Sequence, residues 1–226
     1  MKTNFKSYIR AACNLFGGAI CAAVILLVGF SAQAQNLFGG DGSGNLYEFA
    51  TNGMQSTFAS GLNSPYGLAF NSGGNLFVAD YGNGNIYKFT PGGVKSTFTS
   101  GLSSPLGLAF DRSGNLFVAS AAGDIYEFTT NGTQSTFVSG LNDLVGLAFD
   151  SVGNLFVASG GNIYEYTTNG TQSTFASGLT RPLGLAFDSS GNLFVSDQAV
   201  GNIYKFTPTG IQSLFASGFR AQQTAV

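Results

Sequence analysis

One phrase occurs four times along this chain of 226 residues, and it constrains the fold more than any other feature. It reads GLAFNSGGNLFVAD at 67–80, GLAFDRSGNLFVAS at 107–120, GLAFDSVGNLFVAS at 146–159 and GLAFDSSGNLFVSD at 184–197. The first glycine of the phrase recurs at steps of 40, 39 and 38 residues. A period of this length predicts a repeat architecture in which each repeat is one supersecondary unit.

Each repeat contains four short segments, which we label A to D in chain order. Segment A is the GLAF phrase and segment B the NLF phrase; segment C reads NLY, NIY or DIY, and segment D reads STF or SLF. Aromatic and β-branched residues fill these segments, and Gly, Asn, Asp and Ser separate them, which is typical of strands joined by tight turns. Four antiparallel strands in every repeat predict an all-β fold, the β-propeller.

Polarity along the repeat predicts where each strand lies. Segments A and B are apolar on both faces, whereas charge enters segment C and Gln, Ser and Thr enter segment D, so strand A lines the central channel and strand D the rim. Segments B, C and D occur five times and segment A four times, which predicts five blades, with a six-bladed relative as the alternative. Residues 224–226 align with GLA, so the C-terminus is expected to supply the missing A strand of the first blade.

The N-terminal segment has the features of a secretory signal. Lys2, Lys6 and Arg10 precede an uncharged apolar run at 15–30, and the residues at 32–34 read AQA. A basic start, an apolar middle and small residues at the end predict a signal peptide at 1–34 and a single propeller domain at 35–226. The mature chain is then secreted, periplasmic or extracellular and does not bind a membrane. The alternative is an uncleaved membrane anchor.

Composition argues against several kinds of chemistry. The chain has no histidine, and Cys13 and Cys21, its two cysteines, lie in the predicted signal. The mature chain therefore lacks the commonest general base, the commonest zinc ligand and any thiol. The net charge is −2, and three of the chain's nine Lys and Arg residues precede residue 35. The mature chain is therefore more acidic than the full chain, which argues against nucleic acid as a ligand. We predict no catalytic residue, no metal ligand and no cofactor.

The repeat unit resembles a known family once its residues are written together: P-x-G-L-A-F-D-x-x-G-N-L-F-V-A-D, then N-I-Y-K-F-T-P-x-G. It is similar to the NHL repeat, whose propellers are related to lactonases of the SMP-30/gluconolactonase type and to streptogramin lyases. The resemblance implies a propeller over nearly all of 36–219. For the lyases it implies a catalytic histidine and for the lactonases a divalent metal held by acidic and amide residues. Neither set of residues has a matching position here.

The positions that break the repeat are the candidates for a functional site. Segments that precede strand A offer Tyr66, Asp143 and Arg181, and segments between strands B and C offer Tyr81 and Gln198. Because strands alternate in direction, both kinds of segment should emerge on the same face of the propeller. We therefore expect these five side chains around one mouth of the channel, where a ligand would bind. The alternative is that they are ordinary loop variation.

These observations favour a secreted, non-catalytic binding or scaffold module for a glycan, a peptide or a protein. Two alternatives remain open. One is a metal-dependent hydrolase of the SMP-30/gluconolactonase type or an enzyme related to streptogramin lyase. The other is a structural protein of the cell envelope. Metal dependence would favour the hydrolase, and ligand binding at the variable face would favour the binding module.

If residues 1–34 are a signal peptide, the secreted protein begins at Gln35. Intact-mass measurement of the protein collected outside the cytoplasm checks this directly. Recovery of only the full-length chain, in a membrane fraction, would instead support the anchor.

Overall fold

The fold is that of an all-β propeller built from five sheets. The computed structural model describes residues 36–218, so the predicted signal and the predicted C-terminal strand both lie outside the described residues. Within the described range every regular element is a β-strand, and that part of the chain forms no helix long and apolar enough to cross a membrane. The predicted fold class and five blades are confirmed.

The strands follow the repeat along the chain. The described strands of blade 1 are β1 (Leu37–Gly40), β2 (Leu46–Phe49) and β3 (Gln55–Ala59). Those of blade 2 are β4 (Pro65–Phe70), β5 (Leu76–Asp80), β6 (Asn85–Phe89) and β7 (Lys95–Thr99). Those of blade 3 are β8 (Pro105–Phe110), β9 (Leu116–Ser120), β10 (Ile125–Phe128) and β11 (Gln134–Val138). Those of blade 4 are β12 (Leu147–Phe149), β13 (Leu155–Ser159), β14 (Asn162–Tyr166) and β15 (Gln172–Ala176). Those of blade 5 are β16 (Pro182–Phe187), β17 (Leu193–Asp197), β18 (Asn202–Phe206) and β19 (Gln212–Ser217).

Within each blade the strands pair antiparallel in chain order, so strand A is one edge and strand D the other. The A strands β4, β8, β12 and β16 contact one another in succession, which places them at the centre of the ring as polarity predicted. Blade 1 has strands B, C and D within the described range. Its A strand, predicted from residues 224–226, falls outside that range.

Glycine in the A strand sets the distance between neighbouring blades. A Cβ atom built on Gly67 would lie 2.1 Å from the carbonyl oxygen of Leu106 in the next blade. At Gly107 the corresponding distance to the oxygen of Val145 is 2.2 Å, and at Gly146 the next A strand is equally close. Only a residue without a side chain allows two backbones to approach this far.

Phenylalanine fills the space between blades outside the A strands. The ring of Phe77 in strand B packs edge-to-face on Phe98 of its own blade, at 5.1 Å, and on Phe110 of the next blade, at 5.0 Å. The same triad recurs at the other three blade junctions in the described range. Edge-to-face contacts at 4.5–7 Å are favourable aromatic geometry. The recurring Phe residues are therefore packing residues.

The recurring Asp after strand A forms a turn. Asp150 Oδ1 accepts hydrogen bonds from the backbone N–H groups of Val152 and Asn154, at 2.8 and 2.9 Å, and its Oδ2 accepts from Asn154 Nδ2 at 2.9 Å. Equivalent bonds to the residue four positions on occur after strand A at Asn71, Asp111 and Asp188, and Asp41, which follows strand B of blade 1, forms the same bond. This arrangement is an Asx turn, and the D-x-x-G-N motif forms it.

Tyr166 leads to a prediction about stability. It occupies a strand C position where the other blades have phenylalanine, is 3% exposed, and its hydroxyl has no hydrogen-bond partner among the described residues. Burying an unpaired hydroxyl is unfavourable, so Tyr166→Phe should raise the free energy of unfolding by about 1 kcal/mol. Thermal unfolding followed by circular dichroism should show a rise in Tm of about 2–4 °C.

The matched control is Phe128→Tyr, which places a hydroxyl at the equivalent position of blade 3 and should lower Tm. A lower Tm for Tyr166→Phe would show that the native hydroxyl is hydrogen-bonded after all.

Candidate functional site

The loops that carry the candidate residues meet on one face of the propeller. We call the segments before strand A the D–A loops and those between strands B and C the B–C loops. In blade 2 the backbone N–H of Tyr81 donates to the carbonyl oxygen of Ser64 at 3.2 Å, and in blade 5 Gln198 N–H donates to Arg181 O at 3.0 Å. These bonds join a B–C loop to a D–A loop within each blade. The face where they meet is called the channel mouth below.

Buried polar side chains at the ends of the B strands fix these loops. Asp80 Oδ1 accepts from Asn63 N–H at 2.7 Å, and the two carboxylate oxygens of Asp197 accept from the N–H groups of Thr180 and Arg181, at 2.8 and 2.9 Å. In the other two blades serine hydroxyls at this position donate to a D–A carbonyl. The sequence analysis did not identify this role. The signal for this role was a polar residue that ends every apolar B strand.

Tyr66 and Tyr81 lie together at the mouth, with ring centroids 6.4 Å apart and ring planes at 38°. Tyr81 is 38% exposed, whereas Tyr66 is half-buried and packs against the apolar cluster of blades 3 and 4. Tyr66 differs from its predicted position because β4 begins at Pro65, which makes it a strand residue. The pairing register shifts between Pro65 and Leu68, so Tyr66 lies in an irregular part of the strand.

Arg181 belongs to blade 5 yet acts electrostatically on Tyr66 of blade 2. Burial raises the pKa of the Tyr66 hydroxyl above its ordinary value, the positive charge of Arg181 opposes this by lowering the pKa, and Tyr81 raises it further. A charge exerts such an effect only when it is close and incompletely screened by solvent. The charge of Arg181 therefore influences a tyrosine hydroxyl of a blade three repeats away.

The other two candidates have different positions. Gln198 is tied to Arg181 through the backbone, and its side-chain oxygen Oε1 is buried without a hydrogen-bond partner among the described residues. Asp143 is an exposed D–A loop residue with φ of 47°, a conformation that Asp tolerates better than most residues. No hydrogen bond among the described residues joins Asp143 to the tyrosines or to Arg181, so its part in the site stays a prediction.

The residues of the channel do not fit the divalent metal that a lactonase would need. The A strands carry glycine at the recurring position of closest approach, so no carboxylate projects from it. Nowhere in residues 36–218 do three His, Cys, Asp or Glu side chains group closely enough to hold a metal ion. Carboxylate and amide oxygens near the strands are engaged in the Asx turns instead.

Comparison with known proteins supports the fold. Residues 62–89 match the NHL repeat, which confirms the resemblance at the one repeat they span. No curated protein matches the chain.

Among solved structures the chain is similar to virginiamycin B lyase from Staphylococcus aureus, with 17% identity and a TM-score of 0.63 over 80% of this chain. It spans 66% of the length of that lyase. It is also similar to the nidogen/laminin complex, with 22% identity and a TM-score of 0.72 over 82% of this chain and 78% of the other. A gluconolactonase from Xanthomonas campestris gives 16% identity and a TM-score of 0.72 over 80% and 72%. At these identities the likeness shows the fold.

The proximity of Arg181 to Tyr66 can be measured. Arg181→Gln removes the charge that lowers the Tyr66 pKa, so that pKa should rise further. Tyrosine labelled with ¹³C at Cζ reports the titration of each hydroxyl by NMR, and Tyr66→Phe assigns the signal. Arg112→Gln is the control, because Arg112 lies in the A–B turn of blade 3, on the opposite face. A Tyr66 pKa that is the same with and without Arg181 would place the two residues apart.

Proposed function

We propose that this protein is a secreted, non-catalytic propeller that binds a glycan, a peptide or a protein at the channel mouth. One observation carries the proposal: the rings of Tyr66 and Tyr81 lie 6.4 Å apart on this face, and the charge of Arg181, from blade 5, acts on the Tyr66 hydroxyl. Nothing in the packing of the blades requires this combination. The other repeats hold Leu or Val in place of Tyr66, Gly, Ala or Gln in place of Tyr81, and Ser or Asp in place of Arg181.

The site combines a rigid base with exposed recognition groups. The backbone of the loops is held by the buried carboxylates of Asp80 and Asp197, so the side chains above them are positioned before a ligand arrives. Binding then costs less conformational entropy than ordering flexible loops would. Tyrosine provides a large apolar face with a polar tip, and arginine provides a planar set of donors.

The similar structures support a binding role for such a scaffold without selecting a ligand. The nidogen propeller was solved in a complex with laminin, whereas the lyase and the gluconolactonase are enzymes. The hydrolase remains the alternative function. It lacks support at the site, because the chain has no histidine and the described channel residues do not fit a metal.

Binding at the mouth can be tested with glycan and peptide arrays. The double variant Tyr66→Leu/Tyr81→Ala should lose at least nine-tenths of the signal of any ligand found, because it removes both aromatic faces. Leucine at 66 preserves the apolar packing of that half-buried side chain. The matched control is Met54→Ala/Ile211→Ala, which truncates two exposed apolar residues in the C–D turns on the opposite face.

Undiminished binding by the tyrosine variant, with loss in the Met54/Ile211 control, would move the site to the opposite face. Turnover of a sugar lactone that depends on added calcium, zinc or manganese would replace the binding module with the hydrolase.

A further inference from the structure

The backbone of Arg181 is held by hydrogen bonds, while its side chain forms no hydrogen bond or ion pair with the residues at 36–218. Its N–H donates to Asp197 Oδ1 at 2.9 Å, and its carbonyl oxygen accepts from Gln198 N–H at 3.0 Å. The residue is exposed, and no carboxylate of the described chain forms an ion pair with it. An acidic protein therefore carries, at the mouth, a cation whose backbone is held in place and with which no described carboxylate forms an ion pair.

The D–A loop of blade 5 also departs from the other loops in backbone conformation. Ser64, Ser104 and Asp143 occupy the equivalent position in blades 2 to 4, and all three have positive φ, between 47° and 57°. Arg181 does not. The long cationic side chain therefore occurs in the one D–A loop whose backbone differs from the left-handed conformation that the others share.

Gln198, whose backbone N–H donates to Arg181, has an unpaired hydrogen-bond acceptor in its side chain. Its Oε1 is buried and accepts no hydrogen bond from the described residues, which is an unfavourable state for an amide oxygen. The oxygen is covered, so a ligand reaches it only after the side chain turns toward the mouth. A donor N–H that approaches beside Arg181 would favour that turn.

We propose that the mouth binds an acidic segment of a polypeptide, with Arg181 binding an Asp or Glu carboxylate and Gln198 accepting a main-chain N–H. This inference rests on the proposed function and names its ligand class. A guanidinium pairs with a carboxylate through two parallel hydrogen bonds. An acidic residue carries its carboxylate and its N–H within a few bonds, so one residue satisfies both groups.

The tyrosines favour a polypeptide over a neutral glycan. Tyr and Arg together are the residues that most often dominate the energy of protein–protein binding, and Tyr66 is already held by packing against blades 3 and 4. A neutral sugar would use the tyrosine faces but would leave Arg181 without a partner. Tyr81, the more exposed ring, is expected to cover the ligand's aliphatic atoms.

The test uses the peptide Ac-Gly-Glu-Gly-NH₂, whose only charge is the side-chain carboxylate, and its analogue Ac-Gly-Gln-Gly-NH₂. In titrations of the ¹⁵N-labelled mature chain, the Glu peptide should shift the backbone amides of Tyr81, Arg181 and Gln198 with a Kd in the millimolar range, about that of a few good contacts. The Gln peptide should bind at least tenfold more weakly. Arg181→Gln should lose at least tenfold for the Glu peptide, and the control Arg112→Gln should bind like the native chain.

A second variant separates recognition from folding. Gln198→Met keeps the length of the side chain and removes the unpaired amide, so it should raise Tm and weaken Glu-peptide binding severalfold. A lower Tm would show that the amide stabilises the fold and would contradict its assigned role.

Equal affinity for the Glu and Gln peptides, or undiminished binding by Arg181→Gln, would overturn carboxylate recognition. Shifts of the same amides by trigalacturonate, without shifts by the Glu peptide, would overturn the polypeptide class and leave the proposed function standing. If array ligands bind the tyrosine double variant undiminished as well, the proposed function itself fails.

Discussion

The structure depends on the close approach of neighbouring A strands at glycine. At Gly67, Gly107 and Gly146 a methyl group would lie within 1.9–2.2 Å of a backbone oxygen in the next blade, a distance that no side chain permits. This contact brings the inner edges of consecutive sheets together, and the Phe triads fill the wider space farther out. The narrow centre that results is what allows loops from blades 2 and 5 to reach the same mouth.

At Gly184, the A-strand glycine of blade 5, the described residues place no neighbouring A strand against the glycine. Among residues 36–218 the only atom within 4 Å of a Cβ built there is Ser196 Oγ, at 3.1 Å. That hydroxyl accepts a hydrogen bond from Gly184 N–H at 2.8 Å, and Ser196 stands where blades 2 to 4 have alanine. Blade 5 thus replaces an apolar contact with a polar one at a position where the described residues place no neighbouring strand.

Much of the fold could be predicted because each feature is local or repeated. The strands follow from alternation and turn residues, the Asx turns from a motif of five residues, and the core from the recurrence of Phe. The site is harder to predict because it depends on how the folded chain brings separate blades together. The irregular register at Pro65 that makes Tyr66 a strand residue, and the approach of Arg181 to it across three repeats, leave no mark in local sequence. The sequence places Asp143 in a D–A loop, but the position of its side chain relative to the tyrosines depends on the tertiary structure.

The central claim is that the A-strand glycines hold the blades at their observed spacing, and equilibrium unfolding of two alanine variants tests it. The second position is Gly92, in the C–D turn of blade 2, where a Cβ atom would meet only Thr90 Oγ1, at 3.8 Å. Neither Gly107 nor Gly92 has positive φ, so alanine is compatible with the backbone at both positions and the comparison isolates the approach of the next blade. Gly107→Ala should lower the free energy of unfolding by about 3 kcal/mol, the cost of forcing an atom into a filled space. Gly92→Ala should change it by less than about 1 kcal/mol, because the added methyl group meets no close neighbour. Equal effects of the two substitutions would contradict the account.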